Sequence, residues 1–189
     1  ARKMKMPDGG YRPAYNVRFA TTTEGGAVVG VAVPNEGTDA NQMLPMIRQI
    51  EERTGQRPAE MLVDGGFAVR DAIDTAQTEG TTVFAPVREA QKQLDAGKDP
   101  YARKKGDTDE TARWRARMKT PEAKETYKLR AATAEWVNAR VRNRNFYRLT
   151  VRGRDKALTM ALWHAVAHNF GRIMTYRSAF SGEGARPTT

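Results

Sequence analysis

The sequence of 189 residues contains no cysteine and only two histidines. Without thiols, disulfides and thiolate metal sites are excluded, which fits a reducing cytosol. No apolar run approaches the roughly 20 residues of a membrane-spanning helix. Acids are scarce as well: 22 Asp and Glu stand against 32 Lys and Arg, giving a net charge of +10 and a pI near 10.1. This excess favours a polyanionic partner such as nucleic acid, the alternative being a basic protein without one.

The pattern of apolar residues predicts an α/β fold. Short β-branched or alternating runs are separated by glycine-containing turns from segments with helical spacing, an order that is typical of parallel strand pairing. A charged stretch at 87–119 is expected to be a partly mobile insertion with a helix near 108–118. We expect one domain over 1–177 and a disordered tail over 178–189. The patterns predict strands at 14–21, 27–33, 59–63 and 82–85, and helices at 43–53, 69–78, 121–143 and 155–176.

Asp64 is the first candidate for a catalytic residue. It ends the predicted strand 59–63 and precedes Gly65 and Gly66, so its carboxylate should stand at the carboxyl edge of a sheet, where ligands and metals collect. An ordinary turn is the alternative, because Asp-Gly-Gly is a common turn sequence.

Glu135 is the second candidate, on the predicted helix 121–143. Arg142 lies seven residues further on the same face, with Asn138 between them. This stripe of carboxylate, amide and guanidinium suits the approach to a metal and a phosphate, although the pattern alone favours a solvated helix face. Tyr127 is offset by about a quarter turn from Glu135, and Arg130 points away on an ideal helix.

These residues resemble a known family signature. Tyr127, Arg130, Glu135 and Arg142 are similar to the Tyr-x2-Arg-x3-Glu-x6-Lys signature of insertion-sequence DDE transposases, with arginine in place of the final lysine. The segment 62–67 resembles the strand that carries the second aspartate of that family, and similarity extends over residues 2–177.

The resemblance implies a ribonuclease H-like mixed sheet with packed helices and an insertion before the catalytic helix. It implies that Asp64 and Glu135 bind Mg2+ or Mn2+, which prefer hard oxygen ligands and support in-line phosphodiester displacement. Arg130 and Arg142 would hold DNA phosphates, and Tyr127 would contact the DNA backbone. The partners implied are transposon-end and target DNA and a second copy of the chain in a synaptic complex. The implied location is the cytoplasm, on the nucleoid when DNA is bound.

The first aspartate of such a site is not evident. Family members carry it on a strand ahead of the hairpin, whereas Asp8 lies in a turn and Asp39 is better placed to cap a helix. The sequence also begins without Met. We therefore expect the carboxyl-terminal part of a catalytic domain, without the first strand and inactive in DNA cleavage by itself.

Other residues allow less specific interpretations. Trp114 lies among arginines and is a candidate for stacking a DNA base, with a solvated basic face as the alternative. His164 and His168 have the i, i+4 spacing of zinc ligands, but packing is favoured because no further metal-binding partner accompanies them. The aromatic residues expected in the core are Trp136, Trp163 and Phe170.

Two other functions compete with a transposase. A non-catalytic nucleic-acid-binding module would bind DNA in a salt-sensitive way without cleaving it. An unrelated α/β metal-dependent hydrolase would turn over small phosphoesters.

Overall fold

The computed structural model describes residues 2–5, 9–36, 38–146 and 149–182 of the chain. Asp8 therefore lies outside the described residues. Among the described helices, none is both long enough and apolar enough to cross a membrane. The elements in chain order are β1 (Arg2–Lys5), β2 (Tyr11–Ala14), β3 (Arg18–Thr21), β4 (Val28–Ala32), α1 (Met43–Thr54), β5 (Glu60–Leu62), α2 (Arg70–Thr78), β6 (Thr82–Phe84), α3 (Ala90–Asp95), α4 (Asp109–Lys119), α5 (Pro121–Asn143) and α6 (Arg154–Gly182).

The described strands pair two by two. β1 and β2 are antiparallel, β3 and β4 form an antiparallel hairpin with an irregularity at Ala20 and Thr21, and β5 and β6 are parallel. The predicted hairpin and the predicted parallel β5–α2–β6 unit are confirmed. β1, β2 and α3 were not predicted. In β1 the basic side chains lack the apolar alternation of a half-buried strand.

The chain divides into two compact units. The first unit comprises Ala1–Asn35 and Thr133–Thr189, and the second comprises Glu36–Ala132. Helix α5 begins in the second unit and ends in the first. It begins at Pro121 as predicted, because the Thr120 hydroxyl accepts a hydrogen bond from the Ala123 N–H and so caps the first turn.

The core of the second unit forms around the parallel strands. Ile47 from α1, Ile73 from α2 and Val83 from β6 are fully buried there. Trp114 and Met118 of α4 complete the cluster, and the Trp114 Nε1–H donates to the Ala85 carbonyl at 3.2 Å. The helix predicted near 108–118 is thus present as α4, and its side chains form part of the core.

The core of the first unit joins the hairpin to two helices. Val31 of β4, Val137 of α5 and Ala161 of α6 are its buried centre. Asn169 of α6 uses its side-chain amide as a backbone substitute: its Oδ1 accepts from the Val28 N–H and its Nδ2 donates to the Val28 carbonyl, both at 2.8 Å. These bonds fix α6 to β4.

Two aromatic residues predicted in the core are exposed. Trp163 is 70% exposed and Phe170 is 63% exposed, so the prediction that they belong to the core is wrong. Helix α6 is apolar on more than one face, and it turns the face of Ala157, Ala161 and Ala165 toward the hairpin. The small residues allow close packing there, which leaves the larger aromatics on the outside. The third aromatic, Trp136, packs against this core as predicted.

The boundaries of two predicted features also change. Helix α6 continues to Gly182, so residues 178–182 of the predicted tail are helical, and 183–189 lie outside the described residues. Helix α1 has Gln42 at its N-cap without a side-chain cap bond, so the prediction that Asp39 caps it is wrong.

His168 is fully buried, as its predicted role in packing requires. Its Nε2 lies 2.8 Å from the Gly26 carbonyl and donates to it, and its buried Nδ1 has no hydrogen-bond partner among the described residues. Burial lowers the pKa of His168, and the nearby cations Arg140, Arg144 and Arg172 lower it further, although the bond to Gly26 opposes them. The folded state therefore favours the neutral imidazole more than the unfolded state does.

We expect acid to destabilise the chain through His168. His168 gains a proton near pH 6.5 in the unfolded state and only at a lower pH in the folded state. The free energy of unfolding therefore keeps its full value above about pH 6.5 and decreases below it, by up to about 1.4 kcal/mol per pH unit. His168→Gln keeps a donor for the Gly26 carbonyl without the titration, and thermal unfolding at about pH 7.5 and about pH 5 should show a weaker pH dependence. His164→Gln is the comparison, since burial also lowers the pKa of His164. An unchanged pH dependence in His168→Gln would refute this origin.

Candidate functional site

Asp64 stands where strand β5 ends and the turn into α2 begins. Its Oδ1 accepts the Gly66 N–H at 3.0 Å, and its backbone carbonyl accepts the Phe67 N–H at 3.1 Å. The side chain is 41% exposed. The carboxylate therefore lies at the carboxyl end of a parallel strand, as the sequence predicts, and it remains open to a ligand.

Arg130 and Tyr127 of α5 lie beside this carboxylate. The Arg130 guanidinium is 3.2 Å from Asp64 Oδ2, and burial raises the pKa of the Tyr127 phenol, with the Asp64 charge adding to that rise and Arg130 opposing it. An ion pair with both partners this exposed contributes little stability. The arrangement thus serves to place a carboxylate, a guanidinium and a phenol together, which suits contact with a phosphate.

Asp39 is the residue of this site that sequence reasoning missed. A β-carbon added to Gly66 would lie 3.1 Å from Asp64 Oδ1 and 3.2 Å from Asp39 Oδ2, so these carboxylate oxygens are no further apart than the sum, about 6.3 Å. Glycine at position 66 leaves room for the approach. The available signal was that Asp39, like Asp64, follows a strand of the predicted α/β unit.

Glu135, Asn138 and Arg142 lie on the carboxyl-terminal half of α5, which belongs to the first unit. All three are exposed, as a surface that contacts a ligand requires. Between Glu135 and Asn138, Trp136 turns inward and is covered by the Arg140 and Arg172 guanidinium groups, whose carbons are 4.9 and 4.8 Å from the ring centroid. The inward indole keeps the Glu135 face of the helix directed to solvent.

Trp114 does not fit its predicted contact with DNA. Its side chain is only 3% exposed, and its Nε1–H is used within the core. A base cannot stack on an indole whose faces are covered by protein. Trp114 is therefore a core residue, and the predicted stacking is wrong.

The family model of the transposase DDE domain matches residues 1–170 of the chain. The chain belongs to this family. Its function is DNA transposition, its substrate is DNA, and the family chemistry is that of a nuclease and strand transferase. No curated protein and no solved structure shows a significant match to the transposase.

The transposase departs from the family signature at one spacing. Four residues separate Arg130 from Glu135, one more than in Tyr-x2-Arg-x3-Glu-x6-Lys. On a helix, five positions correspond to about 140° and four to about 40°, so the extra residue places the two side chains on different faces. This offset agrees with Arg130 bonding to Asp64 while Glu135 is exposed to solvent.

Transposases of this family generally use divalent metal ions. Asp64 and Asp39 offer hard carboxylate oxygens, the donors that Mg2+ and Mn2+ prefer. Among the residues that the structure describes, no group of three or more His, Cys, Asp or Glu side chains is placed to hold a metal. The Asp39 and Asp64 carboxylates approach each other at Gly66.

Proposed function

We propose that this transposase cleaves DNA at the ends of an insertion sequence and joins the ends to target DNA in a reaction that depends on Mg2+ or Mn2+. The observation that carries the proposal is the Asp64 carboxylate at the end of β5, with Asp39 at Gly66 and Arg130 at 3.2 Å. Such ions activate the attacking oxygen and stabilise the leaving oxygen of an in-line phosphodiester displacement.

Asp64 and Glu135 are the metal ligands of this proposal. Asp64 contributes a carboxylate that a neighbouring N–H and a guanidinium hold in place, and Glu135 contributes one that is exposed on α5. Asp39 adds a further oxygen donor on the Asp64 side. Because Asp39 Oδ2 and Asp64 Oδ1 are at most about 6.3 Å apart, both aspartates would be available to hold a divalent ion, whose preferred donors are carboxylate oxygens.

The basic and phenolic groups of α5 would bind the DNA backbone. The Arg130 guanidinium is 31% exposed and can exchange part of its contact with Asp64 for a phosphate once a cation neutralises that carboxylate. Tyr127 lies beside it, and Arg142 and Asn138 present polar groups on the exposed face of Glu135. These residues would orient the scissile phosphate rather than take part in proton transfer.

We also propose a ribonuclease H-like fold for the chain. The antiparallel hairpin followed by the parallel β5–α2–β6 unit supports it. The expected absence of the first catalytic aspartate, inactivity of this chain by itself and a homodimer in the synaptic complex all stay predictions.

Glu135→Gln in the full-length product of the gene tests the proposed reaction. We expect cleavage of element-end DNA in Mg2+ to fall at least about a hundredfold, because an amide replaces a charged metal ligand in a site that works by charge stabilisation. Glu125→Gln is the matched control, since Glu125 is an exposed acid of the same helix that pairs with Lys128 on the surface.

The pattern of results separates the competing functions. Unchanged cleavage by Glu135→Gln would overturn the assignment of Glu135. An unsubstituted protein that binds DNA in a salt-sensitive manner and never cleaves it would favour the non-catalytic binding module. Turnover of small phosphoesters without DNA cleavage would favour an unrelated hydrolase.

A further inference from the structure

A cavity of about 370 Å³ lies in the second unit, apart from Asp64, Tyr127 and Arg130. Its walls come from the start of α2, the segment after β6, α4 and the loop before α4. Four basic side chains line it, together with a single acid, Glu89; the basic residues are Arg70, Arg88, Lys104 and Arg115. None of them has a role in the proposed reaction.

The charge at the cavity is positive even after internal pairing. Arg115 is buried and bonds to Asp107 Oδ2 at 2.8 Å, so these two charges cancel. Glu89 offsets one more cation. Of the four basic residues, two positive charges remain after these two acids are subtracted.

The backbone at the cavity adds donors to these charges. Arg70 begins helix α2, and the N-cap residue Val69 provides no side-chain cap bond. The first N–H groups of a helix have no partner within the helix and attract anions. Glu89, which also lines the cavity, has the left-handed backbone conformation, with φ +52°, which a β-carbon disfavours and which occurs often at active sites and ligand-binding segments.

Lys104 is held toward this space. Its ammonium donates to Gln93 Oε1 at 2.6 Å, and Gln93 also lines the cavity. Arg70, Arg88 and Lys104 are exposed, so the cavity can be reached from solvent by a polymer. The Lys104 ammonium, the exposed guanidinium groups of Arg70 and Arg88 and the uncapped helix N–H groups match the charge and the acceptor oxygens of a phosphate. Arg70 also lies 3.7 Å from Asp107 Oδ1.

We propose that this cavity binds a phosphate group of the DNA backbone. It is a contact of the transposase with its substrate that requires neither a metal nor the acids of the catalytic site. The net charge of +10 on the chain attracts the DNA, and the cavity fixes one phosphate in position.

Arg88→Gln combined with Lys104→Gln tests this site. Fluorescence anisotropy of labelled duplex DNA, in chelator and over a range of salt, should show about tenfold weaker binding and a salt slope smaller by about 1. The matched control is Lys92→Gln with Arg113→Gln, which removes two exposed charges of the same segment outside the cavity. Glu89→Gln should change the affinity in the opposite direction, because it removes the acid of the lining.

Titration with inorganic phosphate distinguishes the source of the phosphate. If the cavity variant loses DNA affinity well beyond the control, and phosphate competes in the unsubstituted protein, the proposal holds. If the variant loses inorganic phosphate binding but keeps its DNA affinity, the site serves a free phosphate compound and the DNA contact is refuted. Equal binding by the cavity variant and the control overturns the site. Because no metal is present, these outcomes do not depend on whether DNA is cleaved.

Discussion

Asp64→Asn is expected to abolish divalent-metal binding at the carboxyl end of β5 and to lower DNA cleavage at least about a hundredfold. The substitution removes a charge and keeps the shape of the side chain, including an oxygen that can accept the Gly66 N–H. Isothermal titration with Mn2+ measures the binding, and cleavage of element-end DNA by the full-length protein measures the reaction.

Two further substitutions serve as comparisons for Asp64→Asn. Asp39→Asn should weaken Mn2+ binding by a smaller factor, about tenfold, because Asp39 adds to a site that Asp64 anchors. Asp71→Asn, an exposed acid in the first turn of α2, should leave it unchanged. DNA binding in chelator should be kept or strengthened in Asp64→Asn, because Arg130 loses its counter-charge. Full Mn2+ affinity in Asp64→Asn would contradict the site, while full affinity in Asp39→Asn alone would remove only Asp39 from it.

Asp107→Ala is expected to destabilise the second unit by about 3–5 kcal/mol, because it leaves a buried charge without its partner. The Asp107 side chain is fully buried, and its Oδ2 accepts both the Arg115 guanidinium at 2.8 Å and the Lys104 N–H at 2.9 Å. Without it, Arg115, whose side chain is 9% exposed, would keep its charge inside the protein with a single carbonyl partner, that of Pro100. Urea unfolding measures the loss.

Asp109→Ala provides the control for Asp107→Ala. Asp109 pairs with Arg103 at 2.9 Å, but both side chains are more than half exposed, so its loss should cost about 1 kcal/mol or less. Burial alone would raise the pKa of Asp107, yet the Lys104 N–H and Arg115 outweigh it and hold the pKa below its usual value. The contribution is therefore complete above about pH 4 and is lost as pH falls through the lowered pKa. Equal losses in both variants would contradict a special role for the buried pair.

Local sequence signals predicted most of the helices and the strands β4, β5 and β6. Thr120 and Pro121 located the start of α5, Gly55 with φ +72° ends α1, and β-branched runs located β4 and β6. Each of these signals depends on residues that are close together in the sequence, so it can be recognised without knowledge of the tertiary structure. The same holds for Asp64, which stands where its strand and glycines predict.

Contacts between distant segments could not be predicted in this way. Asp39 reaches Asp64 across 25 positions, and only the packing of α1 against the β5–α2–β6 unit brings them together. The environments of Trp114, expected at the surface, and Trp163, expected in the core, could not be predicted for a related reason. Trp114 is buried although its helix α4 is rich in arginine, and Trp163 is exposed although its helix α6 is apolar. The surface that packs against a helix decides which of its faces is covered.

The amide of Asn169 has a consequence for how the protein behaves among other proteins. An open strand edge presents donors and acceptors that a strand of another molecule can pair with, which leads to aggregation. By occupying both the N–H and the carbonyl of Val28, one side chain of α6 acts as the neighbour that β4 would otherwise recruit. Asn169 thus helps to prevent the β3–β4 hairpin of one molecule from pairing with a strand of another.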